Sequence, residues 1–196
     1  MTAVLPPLVA PGGGFLLTPV ARSGVFSREQ TSEDQREMAD AARTFLEGEV
    51  LPHMEALEAW AMNESGDGLL MIDKLRQACD LGLGSIELPE EYDGLGLSLT
   101  TSLLCSEALC ACASFAATLG AHAGIGTLPI AYFGNDEQKA KYLPKLASAE
   151  LISCYALTEP GNGSDALHGR THAVLSEDGS HYLLNGQKQF ITNASW

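Results

Sequence analysis

The chain has 196 residues, of which 45% are hydrophobic, and this is enough apolar material for one ordinary domain and part of a second. Its 11 basic and 25 acidic residues give a formal net charge of −14. Such a charge repels nucleic acid and anionic membrane surfaces, so it argues against a role that depends on binding either of them. The composition predicts an acidic, globular protein.

The first residues of the chain, 1–30, are expected to form a poorly ordered arm. Pro6, Pro7 and Pro11 interrupt the apolar core that a secretory signal would need, and no basic residue precedes Arg22. A mitochondrial transit peptide would contain more arginine. The sequence therefore favours a bacterial-type cytoplasm.

Cysteine usage points to the same kind of compartment. The chain has five cysteines, an odd number with no C-x-x-C pair, at Cys79, Cys105, Cys110, Cys112 and Cys154. Most lie in apolar helical stretches, which predicts buried thiols in a reducing environment. Cys110 and Cys112 would face different sides of a helix, so a zinc site is not favoured.

Helical periodicity dominates residues 31–150. A capping-box spacing from Ser32 to Gln35 predicts a first helix that begins at Thr31 or Ser32. Pro52 ends that helix, and a short helix is expected over 54–62 before a third over 69–81. The predicted core face of the first helix is Met38, Ala42, Phe45 and Leu46. The predicted stripe of the third is Leu69, Ile72, Leu75 and Cys79.

A loop is predicted over residues 85–97, followed by the most apolar part of the chain. The length of the uncharged stretch 108–133 is compatible with a membrane span, but its glycines, proline and hydroxyl residues and the lack of basic flanks favour two buried helices. These would break near residues 113–114 and again at Gly134. His122 is expected to be a hydrogen-bonded core or channel-wall histidine without a catalytic role. A second capping-box spacing, at 135–138, predicts one more helix.

The periodicity changes to strand-like after residue 150. A strand is predicted over 151–158, where Pro160 follows. Two Asx-Gly turns, Asp178-Gly179 and Asn185-Gly186, then separate predicted strands at 170–177, 181–184 and 187–193. Together they predict an antiparallel meander.

A glycine-rich loop follows the first of these strands. Gly161 and Gly163 leave room for a ligand to approach the backbone, and Ser164 adds a hydroxyl group, so the loop is suited to a phosphate or a flavin edge. A solvent-exposed turn is an equally valid interpretation on composition alone. A Rossmann fingerprint, Gly161-x-Gly163-x-x-Ala166, is also formally present, but the segment behind it is too short and glycine-broken for the helix that such a site requires.

Two sequence motifs resemble those of the acyl-CoA dehydrogenases. Residues 158–165 match the family pattern T-E-P-x-x-G-S-D, and residues 185–193 match N-G-x-K-x-[WF]-I-[TS]-N. Upstream, residues 88–97 and 133–147 resemble the helical domain of the family. The likeness covers about residues 30–196, and the stretch around Leu119–His122 is similar to the long-chain and very-long-chain branch.

The resemblance implies an α+β fold in which an N-terminal α-helical bundle precedes the first strands of an antiparallel β-barrel-like domain. The implied division is an arm at 1–30, the helical domain at 31–150 and a partial middle domain at 151–196. The loop at 85–97 would lie beside the acyl-CoA entrance. FAD would be held by Tyr155, Leu157, Thr158, Gly163, Ser164, Phe190, Ile191 and Thr192. Ser164 would also contact the acyl-CoA.

The activity implied by the resemblance is FAD-dependent α,β-dehydrogenation of a fatty acyl-CoA, a step of fatty acid β-oxidation. An electron-transfer flavoprotein or similar acceptor and homo-oligomerisation of the full-length protein are implied as well. The family's catalytic glutamate belongs to a C-terminal domain that these residues do not include, so no catalytic base is assigned and the chain alone is expected to be an inactive fragment. Glu159 is expected to be structural. A non-catalytic helical binding or scaffold module remains the alternative.

Overall fold

The computed structural model describes residues 28–62 and 68–196. The predicted arm at 1–30 therefore lies almost entirely outside the described residues. Residues 37–196 form one compact unit. The described α-helices are α1 (Glu33–Phe45), α2 (Met54–Ala61), α3 (Leu69–Asp80), α4 (Leu99–Leu109), α5 (Ala113–Gly120), α6 (Leu128–Phe133) and α7 (Asp136–Ala147). The described strands are β1 (His172–Leu175) and β2 (Tyr182–Asn185).

Side chains cap the helices where the sequence predicts caps. Ser32 and Gln35 form a reciprocal pair at the start of α1, in which each side chain accepts a hydrogen bond from the other residue's N–H at 3.2 and 3.0 Å. Asn135 and Gln138 form the same pair at α7. Because each box satisfies two N–H groups that the helix leaves unpaired, these starts are set by local sequence.

The main core is built where α1, α2, α3 and α5 meet. Phe115 of α5 is fully buried, and its ring centroid lies 5.9 Å from that of Phe45 of α1. Around this pair the same cluster contains Ala42, Leu46, Val50, Leu57, Met71, Leu75, Leu109 and Leu119. A smaller cluster joins Leu88 to Leu143, Leu146 and Ala147 of α7. The predicted core face of α1 is confirmed.

The predicted stripe on α3 is confirmed at Leu75 and Cys79, which are buried, and is wrong at its first residue, Leu69. Leu69 is 67% exposed, whereas Met71, Leu75 and Ala78 are buried. The buried face also includes Lys74, whose ammonium group lies 3.0 Å from a carboxylate oxygen of Glu49 and 3.1 Å from the amide oxygen of Gln77. Lysine can occupy this face because its aliphatic stem packs against the core while its charge reaches a partner at the rim.

The apolar stretch 99–133 forms three short helices and a π-helical turn, Ala121–Gly126, instead of two buried helices. The first break falls at 110–112, close to the predicted position. Among the described residues, no helix combines the length and apolar character needed to cross a membrane. The stretch is not buried all round, because its outward faces carry exposed side chains at Leu99, Leu103, Ile125, Tyr132 and Phe133.

The cysteine prediction holds for three of the five residues. Cys79, Cys105 and Cys112 are buried, whereas Cys110 and Cys154 are exposed, so the expectation of buried thiols is wrong for those two. Burial raises the pKa of the Cys79 thiol to about 12 and that of Cys105 to about 11. Both thiols are therefore unreactive at neutral pH.

The sheet has fewer strands than the sequence predicts. β1 and β2 pair antiparallel through the turn at Asp178-Gly179, with His172 opposite Asn185 and Leu175 opposite Tyr182. The third predicted strand, at 187–193, is not formed, because Phe190 and Asn193 adopt left-handed conformations with φ of 57° and 70° that end an extended ladder. The predicted strand at 151–158 is likewise outside any sheet.

Candidate functional site

The two motifs singled out in the sequence lie side by side. The N–H of Gln189 donates a hydrogen bond to the carbonyl of Thr158 at 2.9 Å, and the Lys188 ammonium group donates to the carbonyl of Leu157 at 2.9 Å. These bonds place the extended segment, residues 152–158, against the C-terminal segment, residues 187–193. Two stretches about 30 residues apart in sequence thus form one surface.

Glu159 is a buried carboxylate that connects the two segments through Lys188. Its carboxylate is 5% exposed and accepts hydrogen bonds from the Lys188 ammonium group at 2.9 Å and from the N–H groups of Thr171 and Arg170 at 2.9 and 2.6 Å. The Lys188 ammonium, with the Thr171 and Arg170 donors, holds the pKa of Glu159 well below its usual range. Glu159 stays ionised at neutral pH and fixes the start of the glycine-rich loop.

Sequence reasoning missed Lys188. A usable signal exists, because Lys188 is the only lysine, arginine, aspartate or glutamate after Asp178, in an otherwise apolar and amide-rich stretch. A single charge in such a stretch needs a partner if it is partly buried.

The side chains assigned to the site by resemblance are mostly exposed. Tyr155, Leu157 and Phe190 are 46%, 44% and 87% exposed. Thr158 and Ile191 are half-buried, and Thr192 is exposed beside them in sequence. The segment contacts bring Tyr155–Thr158 and Phe190–Thr192 into one region. This region is an apolar surface with hydroxyl groups.

The glycine-rich loop carries the other two assigned residues, Gly163 and Ser164, both exposed. A Cβ built at Gly161 or Gly163 would meet no atom within 4 Å, so the loop leaves open space on that side. The loop ends in a single 3₁₀ turn, Ala166–His168, and not in an α-helix. The helix that a Rossmann fingerprint requires is therefore not formed at this loop.

An apolar cavity lies in the helical part of the chain. It has an empty volume of about 720 Å³, including solvent at its mouth, and is lined by residues 83–88, by α4 and α5, and by Gly120, Ala123 and Gly124. The predicted loop at 85–97 forms part of its wall. That loop folds back tightly, with the N–H of Gly96 bonded to the Leu88 carbonyl at 2.8 Å. A Cβ at Gly94 would collide with the carbonyl oxygen of Leu88, which explains the glycine there.

His122 is buried behind the extended segment, which confirms the prediction of a hydrogen-bonded core histidine. It is 0% exposed; its Nε2 lies 2.9 Å from the Leu146 carbonyl, and its Nδ1 accepts the N–H of Ser153 at 3.1 Å. Because a carbonyl can only accept and an N–H can only donate, the neutral tautomer with its proton on Nε2 satisfies both contacts. Burial lowers the pKa of His122.

This burial predicts a pH-dependent stability. The unfolded chain protonates His122 near its ordinary pKa of about 6.5, whereas the folded chain protonates it only at lower pH, so the unfolded state gains the proton first as pH falls. The free energy of unfolding is expected to be highest above pH 6.5 and to decrease below it, with His122 contributing at most about 1.4 kcal/mol per pH unit. Urea titrations at pH 7.5, 6.5 and 5.5 should show a shallower dependence in His122→Asn. The exposed His53→Asn serves as the control with the wild-type slope; equal slopes in all three proteins would contradict the argument.

Comparison with known proteins identifies the family to which this chain belongs. The model of the acyl-CoA dehydrogenase N-terminal domain matches residues 32–150, and that of the acyl-CoA dehydrogenase middle domain matches residues 154–196. The chain belongs to the acyl-CoA dehydrogenase family. The predicted family and α+β fold class are thereby confirmed.

Individual relatives agree with this assignment. A probable acyl-CoA dehydrogenase of Bacillus subtilis (strain 168) is 45% identical over 188 residues, which is 96% of this chain and 31% of the relative. A crystal structure of an acyl-CoA dehydrogenase complexed with FAD from Bacillus anthracis superposes with a TM-score of 0.87 at 44% identity, covering 96% of this chain and 31% of that one. The structure of an electron transferring flavoprotein of Acidaminococcus fermentans superposes with a TM-score of 0.73 at 35% identity. The match covers 86% of this chain and 42% of that one. The chain thus spans about a third of the length of the first two.

Proposed function

We propose that the protein containing this chain is an FAD-dependent acyl-CoA dehydrogenase that oxidises fatty acyl-CoA thioesters in fatty acid β-oxidation. The observation that carries the proposal is the pairing of the two motifs through Gln189 and Thr158, since it brings residues 155–158 and 190–192 together. Family membership and the FAD complex of the Bacillus anthracis relative support it. In this proposal residues 31–150 are the helical domain and residues 151–196 are part of the middle domain.

The residues present fit a flavin. The N–H groups of Tyr155, Leu157 and Thr158 have no hydrogen-bond partner among the described residues, so they are available to the polar edge of an isoalloxazine ring. Phe190 offers an aromatic face, with Ile191 and Thr192 next to it. Gly163 and Ser164 would lie by the pyrophosphate, in the open space on the glycine-rich loop. Ser164 would also contact the acyl-CoA.

The chemistry divides between cofactor and protein. When bound, the flavin accepts the hydride from Cβ of the acyl group. The task of residues in this chain is to hold the ring and the thioester in reacting geometry and to exclude water from one side. The α-proton needs a base with a pKa near the working pH, and Glu159 does not fit because its carboxylate is held ionised by three donors.

Flavin binding gives the direct test of the surface. Replacing Phe190 by alanine should weaken FAD binding to the complete protein by about 30-fold, because a stacked aromatic side chain contributes roughly 2 kcal/mol. Because Phe190 is 87% exposed, the substitution should leave the free energy of unfolding nearly unchanged. Leu167→Ala is the matched control, since Leu167 is 97% exposed but lies outside both segments. Fluorescence titration of the apoprotein with FAD measures both constants; equal constants for the two variants would count against this surface.

The cavity is proposed to hold the acyl chain. Its walls are mostly apolar, Gly120 is one of its lining residues, and a Cβ at Gly120 would meet nothing within 4 Å, so there is room for a longer side chain beside the cavity. Gly120→Leu should therefore lower kcat/KM for long acyl-CoAs while leaving short ones nearly unchanged, at roughly 0.8 kcal/mol per excluded methylene. Gly48→Leu, equally open but away from the cavity, is the control. A uniform loss across chain lengths would contradict the assignment.

The partner, assembly and compartment complete the proposal. An electron-transfer flavoprotein or a similar acceptor is proposed as the redox partner, and a homo-oligomer as the assembly, by analogy with the family. Five free cysteines suit a reducing compartment, for which the cytoplasm is proposed.

A further inference from the structure

A buried polar cluster links the helical part of the chain to both motif segments. We name it the His122 junction; it consists of His122, Thr127, Ser153 and Asn193. The Ser153 N–H donates to His122 Nδ1 at 3.1 Å, and Asn193 Nδ2 donates to the carbonyls of Ser153 at 3.2 Å and Thr118 at 3.0 Å. Thr127 Oγ1 donates to the His122 carbonyl at 2.7 Å and lies 3.0 Å from Ser153 Oγ.

The π-helical turn Ala121–Gly126 places His122 in this cluster. On the helical side, the imidazole Nε2 donates to the Leu146 carbonyl at the end of α7, 2.9 Å away. On the other side, Nδ1 faces the extended segment. One ring therefore connects α7 to residue 153 through two hydrogen bonds of opposite polarity.

The junction includes one residue of the extended segment, Ser153, and one residue of the C-terminal segment, Asn193. Ser153 precedes Tyr155 by two residues, and Asn193 directly follows Thr192. Asn193 adopts φ of 70°, a left-handed conformation that asparagine tolerates better than most residues, and it is 9% exposed. The beginning of one segment and the end of the other are thus tied to the same buried point.

We propose that His122 is a positioning residue for the flavin site, which acts by accepting the Ser153 N–H and so fixing the extended segment before the cofactor binds. This inference rests on the proposed function. The extended segment belongs to no sheet, so few backbone hydrogen bonds hold it. Fixing such a segment in advance removes part of the ordering cost of binding, and this appears as higher affinity.

Two substitutions at His122 separate positioning from general structural support. In His122→Asn the side-chain oxygen can occupy the place of Nδ1 and still accept the Ser153 N–H, but contact with Leu146 is lost. In His122→Gln the longer amide can still donate to Leu146, but the acceptor near Ser153 is lost. Each variant thus removes one hydrogen bond from the same buried site.

The experiment measures the Kd for FAD of the complete apoprotein together with thermal midpoints. We expect about tenfold weaker FAD binding in His122→Gln, binding within about twofold of wild type in His122→Asn, and similar midpoints in both. Equal affinities in the two variants, whether reduced or unchanged, would overturn the inference and leave the proposed function intact. A wild-type protein that binds no FAD would refute the proposed function, and this inference with it.

A second pair of variants tests the same bond from its other end. Ser153→Pro removes the N–H that His122 accepts, whereas Ser153→Ala keeps it. Should His122→Gln fail to fold, this pair gives the answer: weaker FAD binding in the proline variant alone supports the inference, and equal affinities overturn it.

Discussion

The polypeptide of residues 1–196, expressed alone and mixed with excess FAD and saturated acyl-CoAs, is expected to show no bleaching of flavin absorbance. Glu159 and Asp165 are the carboxylates of the first motif. Glu159 is fixed by Lys188 and two N–H groups, and Asp165 contacts His168 on an exposed loop at 2.6 Å. Without a positioned base the α-proton step loses a contribution of about 10²–10⁴-fold, and the loss of positioning adds to it.

The same polypeptide should bind FAD with a Kd above the micromolar range. Phe190 is 87% exposed and the hairpin β1–β2 is exposed on both faces, so these residues cover little of a flavin ring. Quenching of FAD fluorescence measures the binding, with free FAD plus an unrelated acidic protein as the control. Micromolar or tighter binding, or bleaching that depends on acyl-CoA, would show that these residues hold more of the flavin site than the extended segment and the C-terminal segment provide.

Phe115→Ala is expected to lower the free energy of unfolding by about 3–5 kcal/mol. Phe115 is 0% exposed at the centre of the main core, where it contacts Phe45 of α1, so its truncation removes buried apolar area and leaves a cavity among three helices. Urea denaturation followed by circular dichroism gives the value. A midpoint shift with an unchanged slope would show that stability alone is affected.

Phe133→Ala is the matched control for that experiment. Phe133 is 86% exposed at the end of α6, so the same chemical change should cost less than about 0.5 kcal/mol. Similar losses for the two variants would contradict the described core.

Helix starts were predictable because their causes are local. The hydroxyl of Ser32 and the amide of Asn135 each cap a helix through a residue three positions away, so the sequence alone carries the geometry. The turn at Asp178-Gly179 was predictable for a similar reason, since Gly179 supplies the left-handed φ of 69° that the hairpin needs.

Features that depend on distant residues were predicted less well. On α3 the burial of Lys74 was not predicted, because one of its two hydrogen-bond acceptors, Glu49, lies 25 residues away in sequence. The prediction of the third strand was wrong because Phe190 adopts a left-handed conformation. The residues around Phe190 are compatible with a strand and give no sign of that conformation. In the candidate site, the motifs indicated which residues to consider, whereas the contacts of Lys188 with Glu159 and of Ser153 with His122 join residues about 30 positions apart and could not be predicted from local sequence.

Anaerobic mixing of the complete protein containing this chain with a series of saturated acyl-CoAs tests the proposed acyl-CoA dehydrogenase activity. We expect oxidised-flavin absorbance to disappear on mixing and one equivalent of 2-enoyl-CoA to appear per flavin reduced. Purified protein that carries no flavin and takes up none, or a bound flavin that no saturated acyl-CoA reduces, would contradict it.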